Sequence, residues 1–152
     1  MIGLRHLGDC AQFIKNPCVL GTGNVSQGAF NYLSSIGLRP RMFNRKTLNL
    51  FYDCIESYDL IINGIEMDVD GMHILSISDL RKTSPKVLII DAAADAGRAI
   101  EGTVYQSLTS PIGIVENRRY IMVNNAPTIF HEEASREISS NIAKYILTRN
   151  QF

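Results

Sequence analysis

The sequence has no excess of either charge and no long apolar run, and each lack excludes a class of protein. Among its 152 residues, 15 basic side chains balance 15 acidic ones, so no strong field would attract nucleic acid or an anionic membrane. No apolar run approaches the roughly 18 to 20 residues that span a bilayer, and Met1 precedes no cationic and apolar leader. We therefore expect a cytoplasmic protein that binds neither nucleic acid nor membrane.

Patterns for metal binding and for nucleophilic catalysis are also missing. Cys10, Cys18 and Cys54 are odd in number and lack paired spacing, which favours reduced thiols. The histidines at positions 6, 73 and 131 share no ligand spacing, and no serine stands in an acid–histidine arrangement. The sequence predicts no metal site and no nucleophilic side chain.

What the sequence does have is a core-forming composition and a repeated alternation of strands and helices. At 45% hydrophobic residues, a chain of this length can bury a real core in one domain. Periodicity predicts strands at 17–20, 41–44, 59–64, 86–91 and 119–124, and helices at about 24–36, 48–57, 76–83 and 128–148. The passage around Pro111 and Gly113 is expected to be a loop. This alternation predicts an α/β fold, a doubly wound parallel sheet of Rossmann type with helices on both faces.

The most informative segment is an apolar strand that runs into closely spaced glycines and then a helix. Gly21 would make the tight turn, Gly23 would let backbone N–H groups approach phosphates, and Ser26 stands where the fingerprint has Gly or Ala. Strand, turn, helix and second strand fit the unit of roughly 30 residues that a dinucleotide site requires. We expect the pyrophosphate to be cradled by Gly21, Thr22, Gly23, Asn24, Val25 and Ser26. The alternatives are a merely structural turn and a site for another phosphorylated ligand.

The residues after the second strand indicate which dinucleotide is bound. An NAD site places Asp or Glu about 20 residues beyond the glycines, whereas NADP needs cations or neutral donors for its 2′-phosphate. Here the sequence is Asn44-Arg45-Lys46-Thr47, with no carboxylate before Asp53. A guanidinium beside an ammonium and a hydroxyl suits a phosphate, so we expect NADP (NADPH). The alternative is that Arg45 and Lys46 are solvated charges and that Thr47 only caps the next helix.

Further residues are expected to lie at the same cofactor site. Ligands of open α/β sheets bind in a crevice beyond the carboxyl ends of the strands. The residues that follow the third and fourth predicted strands are Gly64, Ile65, Glu66, Ala92 and Ala93. We expect them to contact the cofactor. For Glu66 the alternative is that it faces water.

Several passages in order along the chain carry a further pattern: residues 18–30, 60–66, 88–103, and 123–130 with 134–139. Together they resemble the nucleotide-binding domain of the (carboxyethyl)ornithine synthase family, whose relatives include alanine and saccharopine dehydrogenases. The resemblance implies a reductive condensation, in which an amino acid's amine and pyruvate form an imine that NADPH reduces.

The resemblance also implies the position of the nicotinamide end of the cofactor. Asp95 matches the family's acidic residue near the nicotinamide ribose and the reacting carbon, and Asn125 matches its polar residue on the opposite side. The residues alone leave alternatives, in which Asp95 is a loop cap that bonds its own backbone and Asn125 is a turn residue before Pro127.

Family members carry a separate amino-terminal domain that supplies basic substrate-binding and proton-transfer residues, and this chain begins close to where that domain would end. We therefore expect a dinucleotide-binding domain at 17–152, preceded at 1–16 by a leading helix or the remnant of an inter-domain connection. The chain would bind NADPH but turn over little amino acid and oxo acid without an amino-terminal partner chain. An apolar stripe on the last helix would favour a homo-oligomer. The alternatives are a stand-alone NADP-binding or sensing module without catalysis, and an alanine dehydrogenase-like domain.

Overall fold

A six-stranded sheet runs through the computed structural model, which describes residues 13–93, 95–107 and 109–123. The strands are β1 (Pro17–Leu20), β2 (Arg41–Phe43), β3 (Leu60–Asn63), β4 (Leu88–Asp91), β5 (Ile112–Val115) and β6 (Arg118–Ile121). The helices are α1 (Asn24–Ser35), α2 (Leu48–Tyr52) and α3 (Ile77–Lys82), with a 3-10 turn at Ile55–Ser57. Within these residues, no helix is long and apolar enough to cross a membrane.

The strand order is β2-β1-β3-β4-β6-β5, with parallel pairing throughout except between β5 and β6. This order confirms the predicted α/β fold. The expectation of a loop around Pro111 and Gly113 was wrong, because these residues lead into and form the antiparallel edge strand β5. Glu116 and Asn117 make the hairpin possible by taking left-handed conformations, with φ of 48° and 58°, as a two-residue turn of this kind requires.

The core lies on both faces of the sheet, because successive residues of a strand point to opposite sides. On one face, Leu33 of α1 belongs to a cluster with Val19 and Ile62. On the other, Phe51 of α2 and Leu80 of α3 cluster with strand residues that are also fully buried. Strands buried on both sides are almost wholly apolar, and the prediction of helices on both faces is confirmed.

Two helix boundaries follow their sequence signals. Gly37, at φ +86°, ends α1, and the Leu38 N–H donates to the Leu33 carbonyl at 3.0 Å. Ser76 caps α3 through a capping box, in which its Oγ accepts from the Asp79 N–H at 3.2 Å.

The helix expected over 48–57 is shorter than predicted, because α2 ends at Tyr52 and the chain turns before the 3-10 segment. This break brings the ring of Tyr58 against that of Phe51, with centroids 5.7 Å apart and planes at 21°. In an unbroken helix, residues seven apart are separated by about 10 Å along the axis. The aromatic contact therefore accompanies the end of the helix.

The edge strand β5 is held by an aromatic ring as well as by its ladder. Gly113 pairs with Tyr120 of β6, and a Cβ at Gly113 would overlap the tyrosine ring. The Tyr120 hydroxyl donates to the Val104 carbonyl at 3.0 Å and accepts from the Gln106 side-chain amide at 2.8 Å. The ring thus joins β5 and β6 to the loop that precedes them.

Three predictions concern segments outside the described residues. They are the greater part of the leading segment at 1–16, the last helix at 128–148, and the site residue Asn125.

Candidate nucleotide-binding site

A groove of about 710 Å³ opens beyond the carboxyl ends of β1, β2 and β3. Its lining comprises Gly21, Thr22, Gly23, Asn24, Val25, Asn44, Arg45, Lys46, Gly64, Ile65 and Glu66. The structure thus brings together three predicted passages: the glycine turn, the residues after β2 and the residues after β3. Ser26, Thr47, Ala92 and Ala93 were also predicted to bind the cofactor but are not part of this lining.

The two glycines of the turn differ in whether the fold needs a glycine at that position. Gly21 has φ +103° and its N–H donates to the Phe43 carbonyl at 2.7 Å, so the tight turn needs a residue that tolerates the left-handed region. Gly23 has an ordinary extended conformation, with φ −71° and ψ 176°. No described atom lies within 4 Å of a Cβ built there, so the fold itself does not require this glycine. Its missing side chain leaves open room in the groove.

The amino terminus of helix α1 faces this open space beside Gly23. Gly23 is its N-cap, and among the described residues no side chain caps the first N–H groups. The first turn also carries no acidic residue. The free N–H groups and the positive end of the helix dipole therefore face the groove, in the arrangement that suits an anion.

Ser26 lies beneath the groove and is fully buried. Its Oγ donates to the Leu20 carbonyl at 3.1 Å. A Cβ on Gly21 would lie 2.6 Å from this oxygen, and one on Gly64 would overlap it. Ser26 therefore sets the close approach of α1 to β1 and β3, which is the structural task of the third small residue in the fingerprint.

The turn after β2 uses Asn44 and Thr47 to hold its own backbone. Asn44 Oδ1 accepts from the N–H groups of Lys46 and Thr47 at 2.8 and 3.2 Å, and Thr47 Oγ1 accepts from the Asn44 N–H at 3.0 Å. Thr47 also occupies the N-cap position of α2 but makes no side-chain capping hydrogen bond there, so the alternative interpretation of Thr47 as a helix cap was wrong. This leaves Arg45 and Lys46 as the cationic side chains of the groove.

Arg45 crosses from the end of β2 to the residues after β3. Its Nη2 donates to the backbone carbonyl of Glu66 at 3.1 Å. Because a guanidinium has five N–H donors, this bond leaves others for a ligand. Glu66 lines the groove and is exposed to water, and its contact with the cofactor stays a prediction.

A buried pair below the groove escaped the sequence prediction. Asn63 and Asp91 end β3 and β4, are 0% and 3% exposed, and are joined by a bond from Asn63 Nδ2 to Asp91 Oδ1 at 3.0 Å. The signal in the sequence was a polar residue at the end of each of two otherwise apolar strands. Beyond β4, the Ala92 N–H donates to the Asn63 carbonyl at 2.8 Å, which extends the pairing of the two strands by one residue.

Asp95 is half exposed and forms an ion pair with Arg98, from Oδ2 to Nε at 3.5 Å. Arg98 also contacts Asp70 at 3.5 Å. Asp95 is outside the groove lining. Its side chain is thus held by a neighbouring cation three residues along the chain.

The described residues contain no group of three or more His, Cys, Asp or Glu side chains that is arranged to hold a metal ion. Cys18 and Cys54 are free thiols. Burial raises the pKa of the Cys18 thiol well above its usual value, as expected for a cysteine that packs as a small apolar residue.

A mostly parallel sheet with a glycine turn and a helix amino terminus at the end of its first strand is a Rossmann-type domain. The structure of an L-alanine dehydrogenase has the same fold, with a TM-score of 0.64 and 19% identity over 90% of this chain and 44% of that chain.

In sequence, the chain is related to N(5)-(carboxyethyl)ornithine synthases. It is 44% identical over 131 residues to that of Clostridium botulinum, covering 86% of this chain and 41% of the relative. It is 39% identical over 132 residues to that of Lactococcus lactis, covering 87% and 42%. These comparisons confirm the resemblance expected from the sequence. The chain spans about two fifths of the length of these curated relatives, and no family model matches it.

Proposed function

We propose that this chain is the NADP(H)-binding domain of an oxidoreductase that joins the amine of an amino acid to pyruvate by reductive condensation. The observation that carries the proposal is the groove, in which the glycine turn and the α1 amino terminus lie together with two cationic side chains. The kinship with N(5)-(carboxyethyl)ornithine synthases supports the choice of reaction.

The residues present fit the diphosphate of a dinucleotide. The open space at Gly23 admits a ligand close to the backbone, and the N–H groups of α1 supply donors whose dipole favours negative charge. Because Gly21 and Ser26 fix the turn and the helix relative to β1, these donors are held in place before the ligand arrives. Such preorganisation reduces the ordering cost of binding.

The preference for NADP over NAD rests on Arg45 and Lys46. They line the groove together with one carboxylate, that of Glu66, so the charged side chains of the described lining sum to one positive charge. The planar guanidinium offers paired donors to phosphate oxygens. A 2′-phosphate at this end of the groove would contact these cations, whereas the ribose hydroxyl of NAD would gain less from them.

Catalysis would require groups beyond the described groove. Bound NADPH supplies the hydride, and we assign Asp95 and Asn125 to the surroundings of the reacting carbon by their match to the family. Arg98 would orient the Asp95 carboxylate through their ion pair. An imine must be held against the nicotinamide in a defined pose, and we propose that an amino-terminal substrate domain provides this.

Calorimetric titration of the purified chain with NADPH, NADH and ATP tests the proposal. We expect NADPH to bind at least about tenfold more tightly than NADH, a difference of about 1.4 kcal/mol, and ATP to bind more weakly still. Absence of NADPH binding would refute the proposal, and ATP as the tightest ligand would indicate a site for another phosphorylated compound.

A second experiment separates an enzyme domain from a binding module. The chain is mixed with a separately produced amino-terminal substrate domain of a relative, and oxidation of NADPH is followed with ornithine and pyruvate present. We expect turnover in the mixture and little in either part alone. NADPH binding without turnover in any mixture would favour a stand-alone sensing module.

A further inference from the structure

Two buried polar side chains lie next to each other below the groove. Asn63 and Asp91 occupy equivalent positions in the register of β3 and β4, and the Asn63 amide donates to the Asp91 carboxylate at 3.0 Å. Burial of polar groups is unfavourable unless they are hydrogen-bonded. Two apolar residues would be the simpler choice here, since these strands are otherwise apolar and buried on both faces.

The Asn63 side chain also holds the backbone of the groove wall. Its Oδ1 accepts from the Ile65 N–H at 3.1 Å, and its Nδ2 donates to the Ile65 carbonyl at 3.1 Å. Both peptide groups of Ile65 are therefore fixed by one amide. Ile65 lines the groove, and the next carbonyl along the chain, that of Glu66, accepts the bond from Arg45.

An amide is well suited to this task. It combines one acceptor oxygen with two N–H donors, and here the oxygen serves the Ile65 N–H while the nitrogen serves both the Ile65 carbonyl and Asp91. The Asp91 carboxylate in turn orients the amide. A pair of apolar residues would fill the same space but would leave both peptide groups of Ile65 without these partners.

We propose that Asn63 and Asp91 are positioning residues for the cofactor, which hold residues 64–66 in the shape that admits the nucleotide although neither side chain lines the groove. This inference rests on the proposed function. It explains why a polar pair occupies the ends of two apolar strands directly beneath a ligand groove, and it joins the end of β4 to the groove wall beside Arg45.

The test measures two quantities in the full chain and its variants, namely NADPH affinity by calorimetry and amide hydrogen exchange by NMR. Asn63→Ala removes all three hydrogen bonds of this amide. We expect exchange at the Ile65 amide to accelerate about tenfold or more and the NADPH Kd to rise about tenfold or more, since one lost hydrogen bond already has an effect of about this size. Asp91→Asn keeps an acceptor for Asn63 and should bind NADPH within about threefold of the parent. Asp91→Leu removes the acceptor, leaves Asn63 in place, and should weaken binding more than Asp91→Asn does.

Thr83→Val is the matched control. Thr83 is buried, donates to the Leu80 carbonyl at 2.7 Å, and lies before the amino end of β4 rather than at the groove. This variant should be less stable than the parent but bind NADPH unchanged. If Asn63→Ala does not fold, the contrast between Asp91→Leu and Asp91→Asn decides the question.

The outcomes distinguish the two proposals. If the parent chain binds NADPH and the folded Asn63 and Asp91 variants bind it equally well, the positioning role is wrong and the proposed function stands. Equal losses in Asp91→Asn and Asp91→Leu, or unchanged exchange at the Ile65 amide, would also overturn the positioning role. A parent chain that binds no NADPH would refute both.

Discussion

The hydroxyl group of Ser26 fills the space in which a side chain on Gly64 would lie. A Cβ built on Gly64 would overlap Ser26 Oγ and lie 3.4 Å from Ser26 Cβ. The same oxygen donates to the Leu20 carbonyl at 3.1 Å. Helix α1 and the turns after β1 and β3 therefore meet at one buried hydroxyl beneath the groove.

This contact predicts a coupling between two substitutions. Gly64→Ala should lower the free energy of unfolding by about 1–3 kcal/mol, the usual cost of overpacking. In a Ser26→Ala background the overlap with Oγ is gone, and the Ser26 Cβ and backbone nitrogen lie at 3.4 Å from the added methyl group, so the same change should cost less. Urea unfolding of the parent, the two single variants and the double variant measures the coupling. An equal cost of Gly64→Ala in both backgrounds would contradict the contact.

The control for this series is Gly28→Ala. Gly28 lies inside α1, and no described atom lies within 4 Å of a Cβ built there. Alanine is favoured over glycine inside a helix by about 0.5–1 kcal/mol. We therefore expect Gly28→Ala to be stabilising, which shows that added volume alone is not what destabilises Gly64→Ala.

A valine in place of Gly23 tests the open side of the turn. The backbone conformation there suits any residue and the space is free, so the fold should lose no more than about 1 kcal/mol, chiefly through a poorer N-cap. The valine side chain would occupy the open space next to the α1 amino terminus and should lower the affinity for NADPH at least about tenfold. Thermal unfolding measures the stability and calorimetry the NADPH affinity. Undiminished affinity would rule out binding of the pyrophosphate at the glycine turn.

Replacement of Arg45 tests the selectivity for the phosphorylated dinucleotide. Arg45→Ala should weaken NADPH binding by about 1.5–3 kcal/mol, the strength of a hydrogen bond to a charged group. It should weaken NADH binding by much less. Arg39→Ala removes the same charge at an exposed position before β2 and should leave both affinities unchanged. Equal losses of NADPH and NADH in Arg45→Ala would count against a 2′-phosphate at this end of the groove.

The capping box of α3 predicts a pH dependence of stability. Burial raises the pKa of Asp79, but hydrogen bonds from Ser76 and Lys82 outweigh it, so its pKa is lowered on balance. Because the folded pKa is below the unfolded value of about 3.9, the carboxylate stabilises the fold above that value. This contribution is lost as the pH falls through the folded pKa.

Asp79→Asn should therefore cost about 1 kcal/mol at neutral pH and progressively less in acid. Urea unfolding of parent and variant at a series of pH values gives the comparison. The two stabilities should converge below pH 4 or so, in the range set by the carboxyl pKa. A difference that stays constant down to acid pH would show that the Asp79 charge has no part in the cap.

Much of the fold follows from local sequence, because buried parallel strands need apolar runs and α1 needs a glycine at its end. The edge strand β5 could not be predicted in this way. Its hairpin turn contains Glu116 and Asn117 rather than glycine, and its pairing depends on Gly113 lying under the Tyr120 ring. The break after α2 likewise accompanies a contact between rings seven residues apart, which no local pattern indicates.

The groove was predictable because parallel strands end at one edge of the sheet, so that residues after β1, β2 and β3 must be neighbours. The role of Asn63 was not predictable. Its bond to Asp91 joins residues 28 positions apart and depends on the register of β3 against β4, which no local pattern gives. The partner of a buried polar side chain is set by the tertiary structure and not by the neighbouring sequence.

The tyrosine ring that lies across Gly113 allows β5 a single alignment with its neighbour. If the strand moved by one residue, Ile112 or Ile114 would have to occupy a place where even a methyl group has no room. A shift of that kind would also turn every side chain of the strand to the opposite face. The register of this edge strand is therefore fixed by the ring, which disfavours the alternative pairings through which loosely specified edge strands exchange partners or aggregate.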